Sequence, residues 1–101
     1  MAATLFQTDG STLQITPDNG STFSLHELYD LLGCNMIQVL NVGEICDTDS
    51  ILILDEDGKF RQSPVINVKA TVIAHAHHAI SKYDYIVGDA ILCDADMLDL
   101  I

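Results

Sequence analysis

Basic residues are scarce in this chain, and their absence from most of it restricts what the protein can bind. Residues 1–58 and 83–101 contain no Lys or Arg, so all four basic side chains lie between them. Fifteen Asp and Glu residues give a formal net charge of −11. Few charges are available to displace phosphate counterions, so we expect no direct binding to nucleic acid or to a membrane. A basic protein partner suits this charge better.

Cysteine is also sparse, and long apolar runs are absent. Cys34, Cys46 and Cys93 form no C-x-x-C pair and their number is odd, which disfavours a disulfide framework and a zinc site. We expect three small, partly buried thiols. No segment reaches the roughly 18 apolar residues of a membrane span. The first residues lack the basic and apolar regions of a signal peptide, which predicts a cytoplasmic protein.

The sequence also lacks the motifs that mark catalysis or cofactor binding. There is no P-loop, no dinucleotide-binding glycine motif and no nucleophile elbow. Acidic clusters starting at Asp47 and Asp55 fail the EF-hand pattern, because Ile51 and Lys59 occupy the fifth loop position. We therefore expect neither an enzyme nor a bound cofactor.

The first third of the chain predicts a hairpin and then a short helix. Asp9-Gly10 joins two alternating segments, and this dipeptide suits a two-residue type I′ turn. Ser24 forms a capping box with Glu27, and Gly33 can end the helix in the left-handed conformation. The apolar stripe of this helix comprises Leu25, Leu28, Tyr29 and Leu32.

The middle of the chain predicts three strands. Residues 36–40 form one strand, and a polar connection over residues 41–50 leads to the next. Residues 51–54 are uninterrupted apolar side chains, which indicates a central strand buried on both faces. A turn then leads to a returning strand over residues 59–62, with Phe60 facing inward.

The last part of the chain predicts a second helix and two short strand pieces. Asn67 can cap a helix running to about residue 81, although β-branched residues leave a strand over residues 70–75 as the alternative. The strand pieces cover residues 85–87 and 90–93. The apolar stripe of the helix would comprise Val72, Ile73, Ala76 and Ile80.

These elements predict one small α+β domain over residues 1–101. Their order is roughly ββαβββαβ, with a mainly antiparallel sheet and two helices, because no regular βαβ repeat is present. The tail over residues 94–101 mixes acids with apolar residues, which fits either a mobile segment or a docking segment.

The order of turns and caps along the chain resembles a family of small uncharacterised proteins. Members of that family occur in bacteriophages, mobile elements and gut-type bacterial genomes, and their domain has no known function. The resemblance covers roughly residues 9–93 and implies a phage-linked α+β domain, located in the host cytoplasm if phage-encoded, with no catalytic residues to carry over. The residues that carry it are Pro17-x-Asn19-Gly20, Phe23-x-Leu25-x-Glu27-Leu28, Gly33, Ile37, Leu54 to Lys59, Pro64 to Asn67, Ala70-Thr71 and Ile86 to Ala90.

Acidic residues on two polar connections are the candidate partner-binding residues. They favour an interaction protein that binds a basic host protein, in one version by imitating the phosphate spacing of a nucleic acid. Salt should weaken such binding steeply. The six residues are Glu44, Asp47, Asp49, Asp55, Glu56 and Asp57.

The histidine-rich segment supports an alternative, a metal or small-ligand module. His75 and His78 would share one helix face, and a third metal ligand would have to come from elsewhere in the fold. Lys69 and Lys82 would supply further polar groups for a ligand. A mean hydropathy of +0.27 also allows a homodimer that covers an apolar patch or a sheet edge.

Overall fold

Five strands form one antiparallel sheet in the computed structural model, which describes residues 3–45 and 47–98. Their spatial order is β2-β1-β5-β4-β3, and every neighbouring pair is antiparallel. Two α-helices and two 3₁₀ helices complete the described elements. The strands are β1 (Ala3–Phe6), β2 (Thr12–Ile15), β3 (Ile37–Ile45), β4 (Thr48–Asp55) and β5 (Ala90–Asp94). The helices are α1 (Leu25–Leu32) and α2 (Val68–Ala76), with 3₁₀ turns at Gly58–Phe60 and Ala95–Met97.

The two helices pack against opposite faces of the sheet. Leu28 of α1 belongs to the core on one face, and Ala70 and Ala74 of α2 belong to the core on the other. Strand β4 supplies both cores, since Ile51 and Ile53 face α1 while Leu52 and Leu54 face α2. The prediction of a central strand buried on both faces is confirmed, and so is the α+β class with a mainly antiparallel sheet.

Helix α1 forms as the sequence predicts. The Ser24 hydroxyl accepts a hydrogen bond from the Glu27 amide at 3.2 Å, and the Glu27 carboxylate accepts one from the Ser24 amide at 3.1 Å. Gly33 ends the helix at φ 64°, and the Cys34 amide donates back to the Tyr29 carbonyl. Two satisfied caps and one buried face explain how eight residues hold a helix.

The first hairpin forms, but its turn differs from the prediction. The Gln7 amide donates to the Ser11 carbonyl at 2.9 Å, which leaves three residues in the loop instead of two. Only Gly10 has a positive φ, at 92°, so the turn is not type I′. The Asp9 carboxylate stabilises the loop by accepting from the Ser11 amide and hydroxyl.

The middle of the chain needs two corrections. The polar connection over residues 41–50 is mostly strand, because β3 and β4 pair along their whole length around a tight turn. The predicted strand over residues 59–62 is wrong: a 3₁₀ turn occupies Gly58–Phe60, and Phe60 is 86% exposed. β5 already fills the other side of β4, so no sheet position remains there for a returning strand.

The last part of the chain needs two more corrections. Asn67 caps α2 as predicted, but the helix ends at Ala76 and turns a different face inward. Val72 is 61% exposed and Ala76 is also exposed, whereas Ala70 and Ala74 are fully buried against the sheet, so the predicted stripe is wrong for the helix. Ile80 does pack on the core of the α2 face, but from beyond the helix end. Residues 85–87 form no strand and make only an isolated bridge from Val87 to Ile66.

The C-terminal segment packs back on the α1 face as far as it is described. Met97 is buried, its carbonyl accepts from the Phe23 amide at 2.7 Å, and Leu98 bridges Phe23. Residues 99–101 of the predicted tail lie outside the described residues. Among the described elements, no helix has the length and apolar character needed to cross a membrane.

Candidate functional site: an acidic hairpin and the pockets at its base

The tip of the β3–β4 hairpin brings together three of the predicted partner-binding acids. Glu44 lies directly opposite Asp49 in the register of the two strands. Asp47, in the turn, adopts the left-handed conformation at φ 66°. Like charges directly opposite one another destabilise a strand pair, so this arrangement has a cost for the fold.

A bulge bends the hairpin just before this tip. The register shifts by one residue between Asn41 and Gly43, and Gly43 takes a φ of 77°. The Asn41 side chain fixes the bend by accepting from the Gly43 amide at 2.9 Å. The bulge increases the local twist and turns the acidic tip away from the flat part of the sheet.

The acids at the tip have no cationic partner within the described residues. The ion pairs found there join Lys59 to Asp84, Arg61 to Asp55, and His26 to Asp30. Two of the four basic side chains are therefore already paired inside the fold. Glu44, Asp47 and Asp49 are exposed, so they make this end of the hairpin an acidic surface.

The other three predicted acids, Asp55, Glu56 and Asp57, lie at the opposite end of β4, so the six acids do not form one group. Strand geometry separates Asp49 from Asp55 by about 20 Å. Asp55 is 9% exposed and bonds the Arg61 guanidinium at 2.8 Å and the Asp57 amide at 2.9 Å, so it acts inside the fold. The hydrogen bond between Arg61 and the Asp55 carboxylate raises the pKa of Arg61. Glu56 and Asp57 remain exposed there.

A pocket of about 260 Å³ opens beside β3 at this end of the hairpin, on the α2 face of the sheet. We call it the aromatic pocket. Its floor is apolar, and its rim carries Phe60, which is 86% exposed, and Tyr85, which is 41% exposed. The residues that line it are Gln38, Leu40, Leu54, Asp55, Glu56, Gly58, Lys59, Phe60, Ile80, Asp84, Tyr85, Ile86 and Val87.

Lys59 and Asp84 hold the rim of the aromatic pocket in place. The Lys59 ammonium bonds the Asp84 carboxylate and lies 4.6 Å from the centre of the Tyr85 ring. The Asp84 carboxylate also accepts from the Tyr85 amide at 2.8 Å. These two bonds, the Lys59 bond first, lower the pKa of Asp84. The rim is thus a connected set of side chains.

A close backbone contact separates this pocket from a second one of about 220 Å³. A Cβ placed on Gly58 would lie 2.8 Å from the Val87 carbonyl oxygen, so only glycine allows the two segments to approach. Arg61, Ser63 and Asp89 line the second pocket. Asp89 accepts from the Thr8 amide at 3.1 Å, which fixes its carboxylate.

Asn67 ties the pocket walls to the sheet. Its side chain donates to the Phe6 and Gly88 carbonyls, both at 2.9 Å, and accepts from the Ala70 amide at 3.1 Å. It is 1% exposed, and every polar atom of the side chain has a partner. One residue therefore caps α2 and positions the loop that carries Asp89.

The histidine and lysine residues of the alternative hypothesis lie on α2 and on the segment that follows it, where the His78 amide donates to the His75 carbonyl at 3.1 Å. His75 Nε2 lies 2.8 Å from the Asp84 carbonyl oxygen, while His78 follows the helix end at φ 55°. Lys69 is exposed on α2, and the Lys82 ammonium lies 5.0 Å from the centre of the Tyr83 ring. Within residues 3–45 and 47–98, no three His, Cys, Asp or Glu side chains come close enough to hold a metal.

Cys34 and Cys93 are buried free thiols, as the sequence indicates. Burial raises the pKa of Cys93 to about 12, with a smaller contribution from Asp94. Burial, followed by the charge of Asp55, also raises the pKa of Cys34. The thiolate is disfavoured at both positions, so neither is poised as a nucleophile. Cys46 lies outside the described residues.

The aromatic pocket was not found by sequence reasoning. Its lining comes from β3, β4, the 3₁₀ turn and the segment around Tyr85, so no contiguous motif marks it. The available signal was the placement of Phe60 between Lys59 and Arg61 after a turn.

Comparison with known proteins gives a family but no activity. No curated protein and no solved structure matches the chain. One family model, described as a domain of unknown function (DUF3846), matches residues 3–99. That match extends from the start of β1 to beyond Leu98 and includes the acidic hairpin and both pockets. The chain belongs to the DUF3846 family.

Proposed function

We propose that this domain is a non-enzymatic interaction protein that binds a basic surface of another protein through its acidic hairpin. The observation that carries the proposal is the group Glu44, Asp47 and Asp49 at the hairpin tip. These carboxylates are exposed and have no Lys or Arg partner among the residues described. Opposed like charges weaken the hairpin, and a cationic partner would remove that repulsion.

The spacing of the acids supports imitation of a nucleic acid. Glu44 and Asp49 are direct cross-strand neighbours, whose Cβ atoms lie about 5 Å apart, and Asp47 lies in the turn between their strands. A basic groove that normally holds nucleic acid would accept such a cluster of carboxylates in place of phosphates. A phage or mobile-element origin fits this activity, since the partner would then be a nucleic-acid-binding protein of the host.

A pull-down from host lysate with three forms of the protein tests the proposal. The first form is the wild type, and the second neutralises the tip with Glu44→Gln, Asp47→Asn and Asp49→Asn. The third, the matched control, removes the same charge elsewhere with Asp18→Asn, Asp30→Asn and Asp96→Asn, all at exposed positions.

We expect wild type and control to retain the same proteins at low salt and the tip variant to lose them. Duplex DNA should displace the retained proteins, and half-molar salt should release them, because screening acts on exposed charge pairs. Retention that survives half-molar salt, or that is equal in the tip variant, would refute the proposal.

A further inference from the structure

Strand β3 has an open edge. It lies at the end of the sheet, and in the part of the chain that the structure describes no strand pairs with its outer side. The Glu56 amide donates to the Met36 carbonyl, which fixes the alternation of hydrogen-bonded pairs along β3 and β4. The backbone groups of Gln38 and Leu40 therefore bond β4, whereas those of Ile37 and Val39 point away from the sheet.

The aromatic pocket adjoins this edge. Gln38 and Leu40 of β3 form part of its lining, so a chain lying along β3 would pass over its mouth. A volume of about 260 Å³ is below the roughly 300 Å³ at which sites for drug-sized ligands begin, and it suits one or two side chains. Phe60 is an aromatic residue left almost fully in solvent, which is typical of contact residues.

Charge and length define the segment that would fit. Glu56 and Asp57 lie near the start of β3, and Glu44 lies beyond its bulge, so both ends of the open edge are negative. The bulge at Asn41 ends the flat part, which leaves five residues, or about 17 Å of strand, for pairing. Basic residues on the added chain would face both acidic ends.

We infer that β3 takes up an extended, basic segment of the partner protein by strand addition, with one apolar side chain of that segment seated in the aromatic pocket. This inference rests on the proposed function, because it names how the basic partner is held. Backbone bonds to Ile37 and Val39 supply affinity, and the pocket selects an apolar residue within the basic sequence.

Synthetic peptides are suitable probes. The probe is Lys-Thr-Lys-Phe-Lys-Thr-Lys, and its three controls replace Phe by Ala, all Lys by Glu, or methylate alternate backbone amides. We expect the probe to bind the wild-type chain in calorimetry, the Ala control to bind about tenfold more weakly, and the Glu control not to bind. Methylation of one set of alternate amides should abolish binding, because that set pairs with β3.

Two exposed aromatic residues give a matched pair of protein variants. Phe60→Ala should weaken binding of the probe about tenfold, because Phe60 lines the pocket. Tyr83→Ala should not weaken it, because Tyr83 is 84% exposed and lies outside the lining.

Hydrogen exchange of the wild-type chain is a further test that needs no variant. The probe should protect the amides of Ile37 and Val39 and leave those of Thr12 and Gln14, on the opposite edge, unchanged.

Three results would each overturn strand addition, and each can be told apart from the others. A probe that binds with salt sensitivity but without protection at Val39 and without an effect of Phe60→Ala shows charge recognition alone, which leaves the proposed function standing. No binding at millimolar probe also overturns the inference, while the lysate experiment tests the proposed function separately. A chain that sediments as a dimer, with Val39 protected before any probe is added, places a second copy on the edge instead.

Discussion

Asn67 concentrates several structural roles in one buried side chain. Its carboxamide caps α2 and bonds two carbonyls from distant parts of the chain, those of Phe6 and Gly88. Its own backbone carbonyl accepts from the Thr71 hydroxyl, which in turn accepts from the Ile86 amide. The residue therefore links β1, α2 and the loop between the two pockets.

Replacement of this residue should be costly. Asn67→Ala removes two bonds to part-buried carbonyls and one to a buried amide, so we expect the free energy of unfolding to fall by about 3 kcal/mol. Urea unfolding measures the change. Asn19→Ala is the matched control, since the exposed Asn19 side chain also bonds the backbone, by accepting from the Ser21 and Thr22 amides, and its loss should stay below about 1 kcal/mol. Equal losses in the two variants would contradict the role assigned to Asn67.

The raised pKa of Cys93 makes a prediction about alkaline pH. The folded thiol titrates near 12, whereas an unfolded cysteine titrates at about 8.5, so the unfolded state loses its proton first. The stability that this thiol contributes is complete below that lower value and is lost as pH rises towards 12.

Alkylation tests this prediction. At about pH 9, iodoacetamide should modify Cys93 only as fast as the chain unfolds, and quickly in urea, with mass spectrometry locating the label. Rapid labelling of Cys93 while the circular dichroism stays native would show that the thiol is accessible and its pKa ordinary.

Caps could be predicted at this scale, but their distant partners could not. Ser24 and Asn67 have local signatures, because capping depends on residues within one helical turn. The bonds from Asn67 to Phe6 and Gly88 cross 61 and 21 residues, and no local pattern encodes them. For the same reason, the pairing of the Asp55 carboxylate with Arg61 inside the fold is a contact that no local pattern predicts.

At the scale of elements, α2 shows how side-chain size determines which face a helix buries. Ala70 and Ala74, four residues apart, are fully buried against the sheet, while the larger Val72 faces solvent. Small residues allow the helix axis to approach the strands closely, so hydrophobicity alone pointed to the wrong stripe. Residues 51–54 of β4 are apolar on both faces, left no such choice and were predicted correctly as a buried strand.

Two substitutions on α2 test whether the helix packs through its alanines or through Val72. Ala74→Leu should lower the free energy of unfolding by about 2 kcal/mol, because a fully buried site has no room for the added carbons. Val72→Ala should change it by less than about 0.5 kcal/mol, since the side chain is 61% exposed. Thermal or urea unfolding measures both, and the reverse ranking would mean that α2 packs through Val72.

At the scale of the whole molecule, the acidic residues proposed to bind a partner also repel one another and so lower the stability of the fold. The chain carries −11, and Glu44 faces Asp49 across the hairpin without a nearby cation among the described residues. The amino-acid composition alone was enough to predict a negative surface. The grouping of three acids at one hairpin tip could not be predicted from composition. It arises because β3 and β4 continue through the segment that was predicted to be a polar connection.

Neutralising one member of this pair should stabilise the fold. We expect Glu44→Gln to raise the free energy of unfolding by about 0.5 kcal/mol at low salt and by less at high salt. Glu56→Gln is the control, because Glu56 has no acid directly opposite it in the strand register. The same Glu44→Gln variant should bind the basic partner more weakly. A variant that is both destabilised and fully active would contradict the trade-off.

The position of β5 between β1 and β4 determines when the domain can become complete. β1 pairs with residues 90–92, so its hydrogen bonds on one side cannot form until β5, the last of the five described strands, has been synthesised. Until then β1 and β2 form an isolated two-stranded ribbon, which is marginally stable in water. The sheet can therefore close only after β5 has been synthesised, and it does so by pairing two segments that lie far apart in the sequence, a kind of contact that forms slowly.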